Sequence, residues 1–437
     1  MLGLPTTATA PFCPSEVRGT VAVPVGMPSW RKVLRYAGPG LLISVGYMDP
    51  GNWATDIEAG SRFGYALLFV VVLSGLSGIL LQTLCARLGI AAQRDLARLC
   101  REQYRRPVAI ALWLFAELAI VACDVAEVLG SALALKLLFG LPLWIGVLVT
   151  GCDTLIVLSL KGHGFRQLEA IVLGLVATIA ICFAIELLAL APDPVAVASG
   201  LLPSAQIVTD PQALYLAVGI IGATVMPHNL YLHSQIVQTR IVAHSVPAKR
   251  EAIGLATVDI ASALFLAMLV NAAILVTAGT AFHQTGMADV TDIDEAYRFL
   301  QPIAGPAAAV IFAIALLASG QSSTFTGTIA GQTILEGFLE LKIPCWQRRL
   351  ITRALALGPA LAGVLWYGDG SVGGLLVLSQ VVLTAQLPFA LYPLIRFTGD
   401  RELMGAFANR PALRLCAWAI FVAVTAANVW LAWGIVA

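Results

Sequence analysis

Apolar windows of about 20 residues recur along this chain near positions 38–60, 64–90, 107–139, 142–161, 168–190, 212–240, 253–280, 304–340, 348–367, 372–397 and 411–436. A helix rising roughly 1.5 Å per residue needs about 20 of them to cross a hydrocarbon core about 30 Å thick. In lipid every backbone polar group must pair internally, so runs of this length are read as helices. The predicted fold class is an all-α integral membrane protein with about 11 transmembrane helices. Composition agrees: 59% of the 437 residues are hydrophobic and 12% charged, where a soluble domain carries about a quarter charged.

Basic residues collect at alternate ends of these windows. Arg18, Arg31, Lys32 and Arg35 precede the first, and Arg94, Arg98, Arg101, Arg105 and Arg106 follow the second. Lys161 and Arg166, then Arg240, Lys249 and Arg250, then Lys342, Arg348 and Arg349, then Arg396, Arg401 and Arg410 follow the fourth, sixth, eighth and tenth. The remaining loops hold only Arg62 and Arg298, with Asp193, Asp210, Asp289, Asp292, Asp294 and Asp369 instead. The positive-inside rule then predicts a multi-pass protein of the cytoplasmic membrane with its N-terminus in the cytoplasm. An odd span count puts the C-terminus on the extracellular or periplasmic side. Nothing forms the basic, aromatic-rich patch that nucleic acid needs, and no obligate protein partner is expected beyond the lipid bilayer. The eight cysteines contain no C-x-x-C pair, which predicts small core-filling residues rather than disulfides or a zinc cluster. Residues 1–30, rich in Pro, Thr and Ala, read as a disordered tail, not a cleaved signal.

Two windows are interrupted in the same way. Met48-Asp49-Pro50-Gly51-Asn52 and Met226-Pro227-His228-Asn229 share x-Pro-x-Asn in register, so that Asp49 falls on Met226, Asn52 on Asn229 and Gly46 on Ala223. Proline has no N–H and clashes with the preceding turn, which frees carbonyls such as those of Gly46 and Ala223. Irregular backbone survives at membrane depth only where it is buried in protein or lines a cavity. The run from Gly38 to Asp49 rises about 17 Å, which places Asp49 near the midplane. Paired discontinuous helices in corresponding positions mark a secondary transporter's binding site. The breaks are five windows apart, which suggests two five-helix repeats, inverted because five is odd. The predicted division is a tail over 1–35, a first repeat over 36–190, an extracellular linker over 191–211, a second repeat over 212–397, and a linker with an eleventh helix over 398–437.

Asp49 and Asn52 supply hard oxygens, Met226 a soft thioether, and Ala223, with Gly46 as a further candidate, a freed carbonyl. That mixture suits Mn(II) or Fe(II), whereas an all-oxygen cage suits calcium or magnesium. His228 lies within the second break, where it either exchanges protons with a cavity or is satisfied by backbone carbonyls. His233, five residues on, reads as a proton-path candidate or as helix packing, and no H-E-x-x-H is present for a metalloprotease. Glu117, Asp124 and Glu127 are spaced seven and three apart in the third window and so share a helical face. Such a ladder is either a proton relay or a set of salt bridges to Arg348, Arg349 or Arg353. Gln380 and Gln386 in the tenth window either close over an ion or make interhelical hydrogen bonds.

The pair Asp-Pro-Gly-Asn and Met-Pro-His-Asn, with Tyr231-Leu232-His233-Ser234 and Arg348-Arg349, resembles the Nramp family of proton-coupled divalent transition-metal transporters, whose fold is similar to that of the leucine transporter. The resemblance covers residue 36 onward. It implies metal held by Asp49, Asn52, Met226 and the Ala223 carbonyl, with Gln380 joining, and protons passing from Asp49 by Asp124 and Glu127 toward Arg348 and Arg349. The expected activity is symport of Mn(II) or Fe(II) with protons, with Cd(II) and Co(II) as further cargo and no resident cofactor. The alternatives are an amino-acid or organic-solute symporter, or a magnesium transporter, on the same fold; no enzymatic constellation is present.

Overall fold

The computed structural model describes residues 18–22, 29–152, 165–287, 290–340, 345–368, 370 and 372–436. Span 1 is two helices, 1a (Pro39–Gly46) and 1b (Pro50–Phe63), and span 6 is likewise 6a (Pro211–Thr224) and 6b (Pro227–Ile236). All four begin with proline at the first helical position, where the missing N–H costs nothing and the ring's fixed φ suits the turn. The continuous helices are span 2 (Leu68–Ala92), span 3 (Arg106–Phe139), span 5 (Phe165–Leu190), span 7 (Val246–Ala281), span 8 (Pro306–Leu339), span 9 (Cys345–Tyr367), span 10 (Val372–Gly399) and span 11 (Pro411–Val436). Span 4 begins at Leu143–Gly151, and the rest of its predicted window lies outside the described residues. Spans 3, 7 and 8, at 34, 36 and 34 residues, are about 50 Å long and must tilt or project from the bilayer.

Burial sorts these helices by position. The most apolar stretch of span 6 is 89% buried within the protein and that of span 11 only 11%, so the broken helix is central and span 11 faces lipid. Span 1b packs on span 7, span 6a on span 10, and span 3 on spans 8 and 10. Trp53 of span 1b is wedged edge-on between Phe183 of span 5 and Phe312 of span 8, with ring centroids 4.8 and 5.2 Å away.

Outside the spans the structure adds order that local composition does not announce. Short helices cover Leu96–Gln103, Pro194–Ser199 and Ile293–Ala304. Asp292 caps the last of these and also accepts from the Gly373 amide at 3.2 Å, which ties it to the start of span 10. The expected disordered tail is corrected in part. Val21–Ala22 form strand β1, paired in parallel with strand β2 (Arg240–Ile241) after span 6b, and Ser29–Tyr36 form a helix leading to span 1a. The pairing is non-local, so Pro, Thr and Ala content in the tail carries no sign of it.

Candidate metal site

The i+4 amide that would hold the Gly46 carbonyl belongs to Pro50, and the one for Ala223 belongs to Pro227, so neither donor exists. At the first break, the Asp49 carboxylate caps span 1b: Oδ1 accepts from the Asn52 amide at 2.8 Å. Capping leaves Oδ2 buried with no hydrogen-bond partner. Asn52 Oδ1 and Gln380 Oε1 are in the same condition, although buried polar atoms are nearly always paired. At the second break, Met226 occupies the capping position of span 6b with no side-chain cap.

Close packing at small residues brings the breaks together. A Cβ on Gly46 would lie 3.2 Å from Met226 Sδ, so span 1a abuts the thioether directly. The Gln380 amide occupies the space a Cβ on Gly51 would need, and its main-chain oxygen does the same at Gly222. Gln380 of span 10 is thus held between the two broken helices. Asp49, Asn52, Ala223, Met226 and Gln380 are all buried to within 1% of full exclusion from solvent. Unpaired oxygens from Asp49, Asn52 and Gln380, together with the thioether at the second break, form a candidate donor set for a dehydrated borderline cation. Among the described residues no three His, Cys, Asp or Glu side chains gather as a metal cluster; the set relies on amide, thioether and main-chain donors.

Span 3 delivers two of its three acids to one place. A Cβ on Gly327 of span 8 would lie 3.0 Å from Glu127 Oε1 and 3.2 Å from Asp124 Oδ1. Glu127 is buried, with Oε2 unpaired and the Cys123 thiol 3.6 Å from Oε1. Glu117 is separate: half-buried, it accepts from Trp113 Nε1 at 2.9 Å. The side chains of Arg348 and Arg349 lie outside the described residues. Arg353, one turn further along span 9, is buried, donates to the Thr150 carbonyl at 3.1 Å and acts electrostatically on Glu127. His228 is buried with Nδ1 unpaired. His233 pairs through Nδ1 with Gln82 Oε1 at 2.9 Å, Gln82 donates to the Tyr47 hydroxyl at 3.2 Å, and His233 Nε2 is buried without a hydrogen-bond partner.

Three residues at the break were not among the candidate ligands. Asn229 donates from Nδ2 to Met226 Sδ at 3.7 Å and leaves Oδ1 buried and unpaired; its register with Asn52 was the available signal. Asn271 of span 7 donates to the Tyr47 carbonyl at 2.7 Å and Ser319 of span 8 to the Met48 carbonyl at 2.5 Å. A lone asparagine in an apolar window hints at such a bond, but nothing near Ser319 names its partner.

Known proteins share this fold and sequence. A manganese transporter of Eremococcus coleocola, in a mutant crystal structure, superposes with a TM-score of 0.89 at 39% identity, over 95% of this chain and 89% of that one. MhsT, solved with L-phenylalanine, shares the fold at 14% identity and a TM-score of 0.62, over 90% of this chain and 97% of that one. The architecture is therefore the leucine-transporter-like one with interrupted helices 1 and 6. The divalent metal cation transporter MntH of Ralstonia nicotianae is 63% identical over 435 residues, 99% of this chain and 98% of its own. The family model described as natural resistance-associated macrophage protein-like matches residues 40–434, and this chain belongs to the Nramp family.

Proposed function

We propose that this protein carries divalent transition-metal cations, Mn(II) and Fe(II) foremost, into the cell in symport with protons by alternating access. The observation that carries the reading is the set of buried donors at the two breaks: three unpaired oxygens, from Asp49, Asn52 and Gln380, with the Met226 thioether packed against span 1a at Gly46. Desolvating carboxamide and carboxylate oxygens without partners costs free energy that a bound cation returns. The thioether biases the set away from magnesium, and a carboxylate at the break disfavours the amino-acid symport reading. The relatives' names, a divalent metal cation transporter and a manganese transporter, support the same cargo.

Asp49, Asn52, Met226, the Ala223 carbonyl and Gln380 hold the metal, with Gly46 contributing a second carbonyl. Asp49 hands its proton toward Asp124 and Glu127, whose neighbour Arg353 joins Arg348 and Arg349 as the basic terminus of the route. His228 is the alternative acceptor. The metal is cargo, and the protein needs no resident cofactor. The arginine-rich end of the bundle and the N-terminus face the cytoplasm, and the repeats over 36–190 and 212–397 are inverted with respect to each other. The test is manganese influx into proteoliposomes under an inward proton gradient, with amino acids and magnesium as competing solutes. Manganese uptake that acidifies the lumen and ignores both competitors is expected; accumulation of an amino acid, or magnesium in place of manganese, overturns the reading.

A further inference from the structure

The arginine-rich end of the bundle is fastened by one buried side chain. Arg240, just past span 6b, is fully shielded: Nη1 pairs with Glu169 Oε1 of span 5 at 2.8 Å, Nε donates to the Tyr36 carbonyl at 2.9 Å, and Nη2 donates to the Ala37 carbonyl at 2.8 Å. Asp259 of span 7 accepts from the amides of Gly38 and Gly40 at 3.2 and 2.7 Å, capping span 1a. Spans 1a, 5, 6b and 7 therefore meet at a single knot, at the start of the half-helix that ends at Gly46 and just past the end of the half-helix that follows Met226. Glu169 and Arg240 fill the place a Cβ on Gly38 would take, so the knot closes without a gap.

The N-terminal strand lies over this knot. Val21 and Ala22 pair with Arg240 and Ile241, the Gly19 amide donates to the Gln238 carbonyl at 2.9 Å, and Arg18 Nη2 donates to the Gln93 carbonyl at the end of span 2 at 2.9 Å. We propose that Arg18–Ala22 is a strap that holds this end shut, bridging span 2 to span 6b across Arg240, and that it must peel away before span 1a can swing and release cargo. The strap is short and edge-paired, and Arg18 is exposed, so its bonds are the cheapest at this end to break. Arg240 is both the ladder partner of Val21 and the side chain that binds the Tyr36 and Ala37 carbonyls ahead of span 1a, so the strap and span 1a share one anchor. The inference depends on the transport reading only for the direction in which cargo leaves.

Hydrogen–deuterium exchange on the full chain, comparing wild type with Arg18→Ala, Val21→Pro and the double variant, tests it. Proline removes an N–H and cannot sustain a ladder, and neither residue belongs to the donor set. The double variant should exchange the Gly38 and Gly40 amides about tenfold faster, with span 3 unchanged. It should also raise manganese efflux from loaded proteoliposomes. Unchanged exchange at Gly38 and Gly40 overturns the strap. Faster exchange throughout the chain overturns it too, since that reports general loosening. Because exchange needs no metal, a wild type that fails to move manganese would defeat the transport reading and leave the strap to be judged on exchange alone.

Discussion

The breaks in spans 1 and 6 share a sequence register and a proline mechanism, yet they are finished differently. In span 1 a carboxylate caps the outgoing helix with one oxygen and keeps the other unpaired. In span 6 the equivalent position is Met226, which caps nothing and offers a polarisable sulfur. On the proposed function, the first break supplies charge and order and the second discrimination. On that reading, asymmetry at one register position pairs attraction with choice.

The largest effect should follow from erasing the charge. Asp49→Asn keeps an oxygen able to cap span 1b, since asparagine and aspartate cap about equally well, but removes the main Coulomb attraction for a divalent ion. Manganese uptake should fall by about 100-fold or more, worth ~2.7 kcal/mol, with the melting temperature unchanged. Asp49→Ala should lose uptake equally and also about 1 kcal/mol of stability, the cost of a lost cap. Uptake in either variant near wild type would mean that the two breaks do not differ by charge in any way that matters.

Next in size is the proton side. Asp124→Asn and Glu127→Gln should each cut manganese-driven acidification of the lumen by about tenfold, ~1.4 kcal/mol, and flatten the pH dependence of uptake. Metal affinity by calorimetry should stay within a few-fold, because neither acid is at the break. Full proton flux in both variants would assign the acids to salt bridging with span 9 and move attention to His228.

Met226→Ala tests the other half of the asymmetry. Cadmium, the softest cargo, should weaken most, by about tenfold, with manganese less affected and calcium newly able to compete. A variant still indifferent to millimolar calcium while binding cadmium normally would reduce the sulfur to packing. The smallest effect is expected from Gln380→Ala, about two- to threefold in manganese affinity, since it removes one neutral oxygen among several. A loss as deep as that of Asp49→Asn would make span 10 an equal partner of the breaks.

Span positions were legible because a membrane admits so few backbone solutions. The breaks were legible because proline states its effect locally, in the missing i+4 donors for Gly46 and Ala223. What the sequence hid was side-chain partnership across helices. Glu117 shares a helical face with Asp124 by spacing, yet its carboxylate bonds within its own helix to Trp113, since periodicity gives direction and not neighbours. Arg353 was visible only as one of three arginines, and its burial is a fact of the fold that spacing does not carry. Strand β1 was invisible because its partner lies more than 200 residues away in a segment, Arg240–Ile241, of no special composition.

The carbonyls of Tyr47 and Met48, freed in the same break as Gly46, are already taken by Asn271 and Ser319. Two main-chain oxygens of the first break are therefore engaged by side chains of spans 7 and 8. Calcium prefers six to eight oxygens, so freeing one of them, with an apolar residue at 271 or 319, would let the larger ion complete its shell. If the proposed site is right, the hydrogen bonds from Asn271 and Ser319 set the number of oxygens open to an ion, and calcium inhibition of manganese uptake in Asn271→Leu or Ser319→Ala measures that.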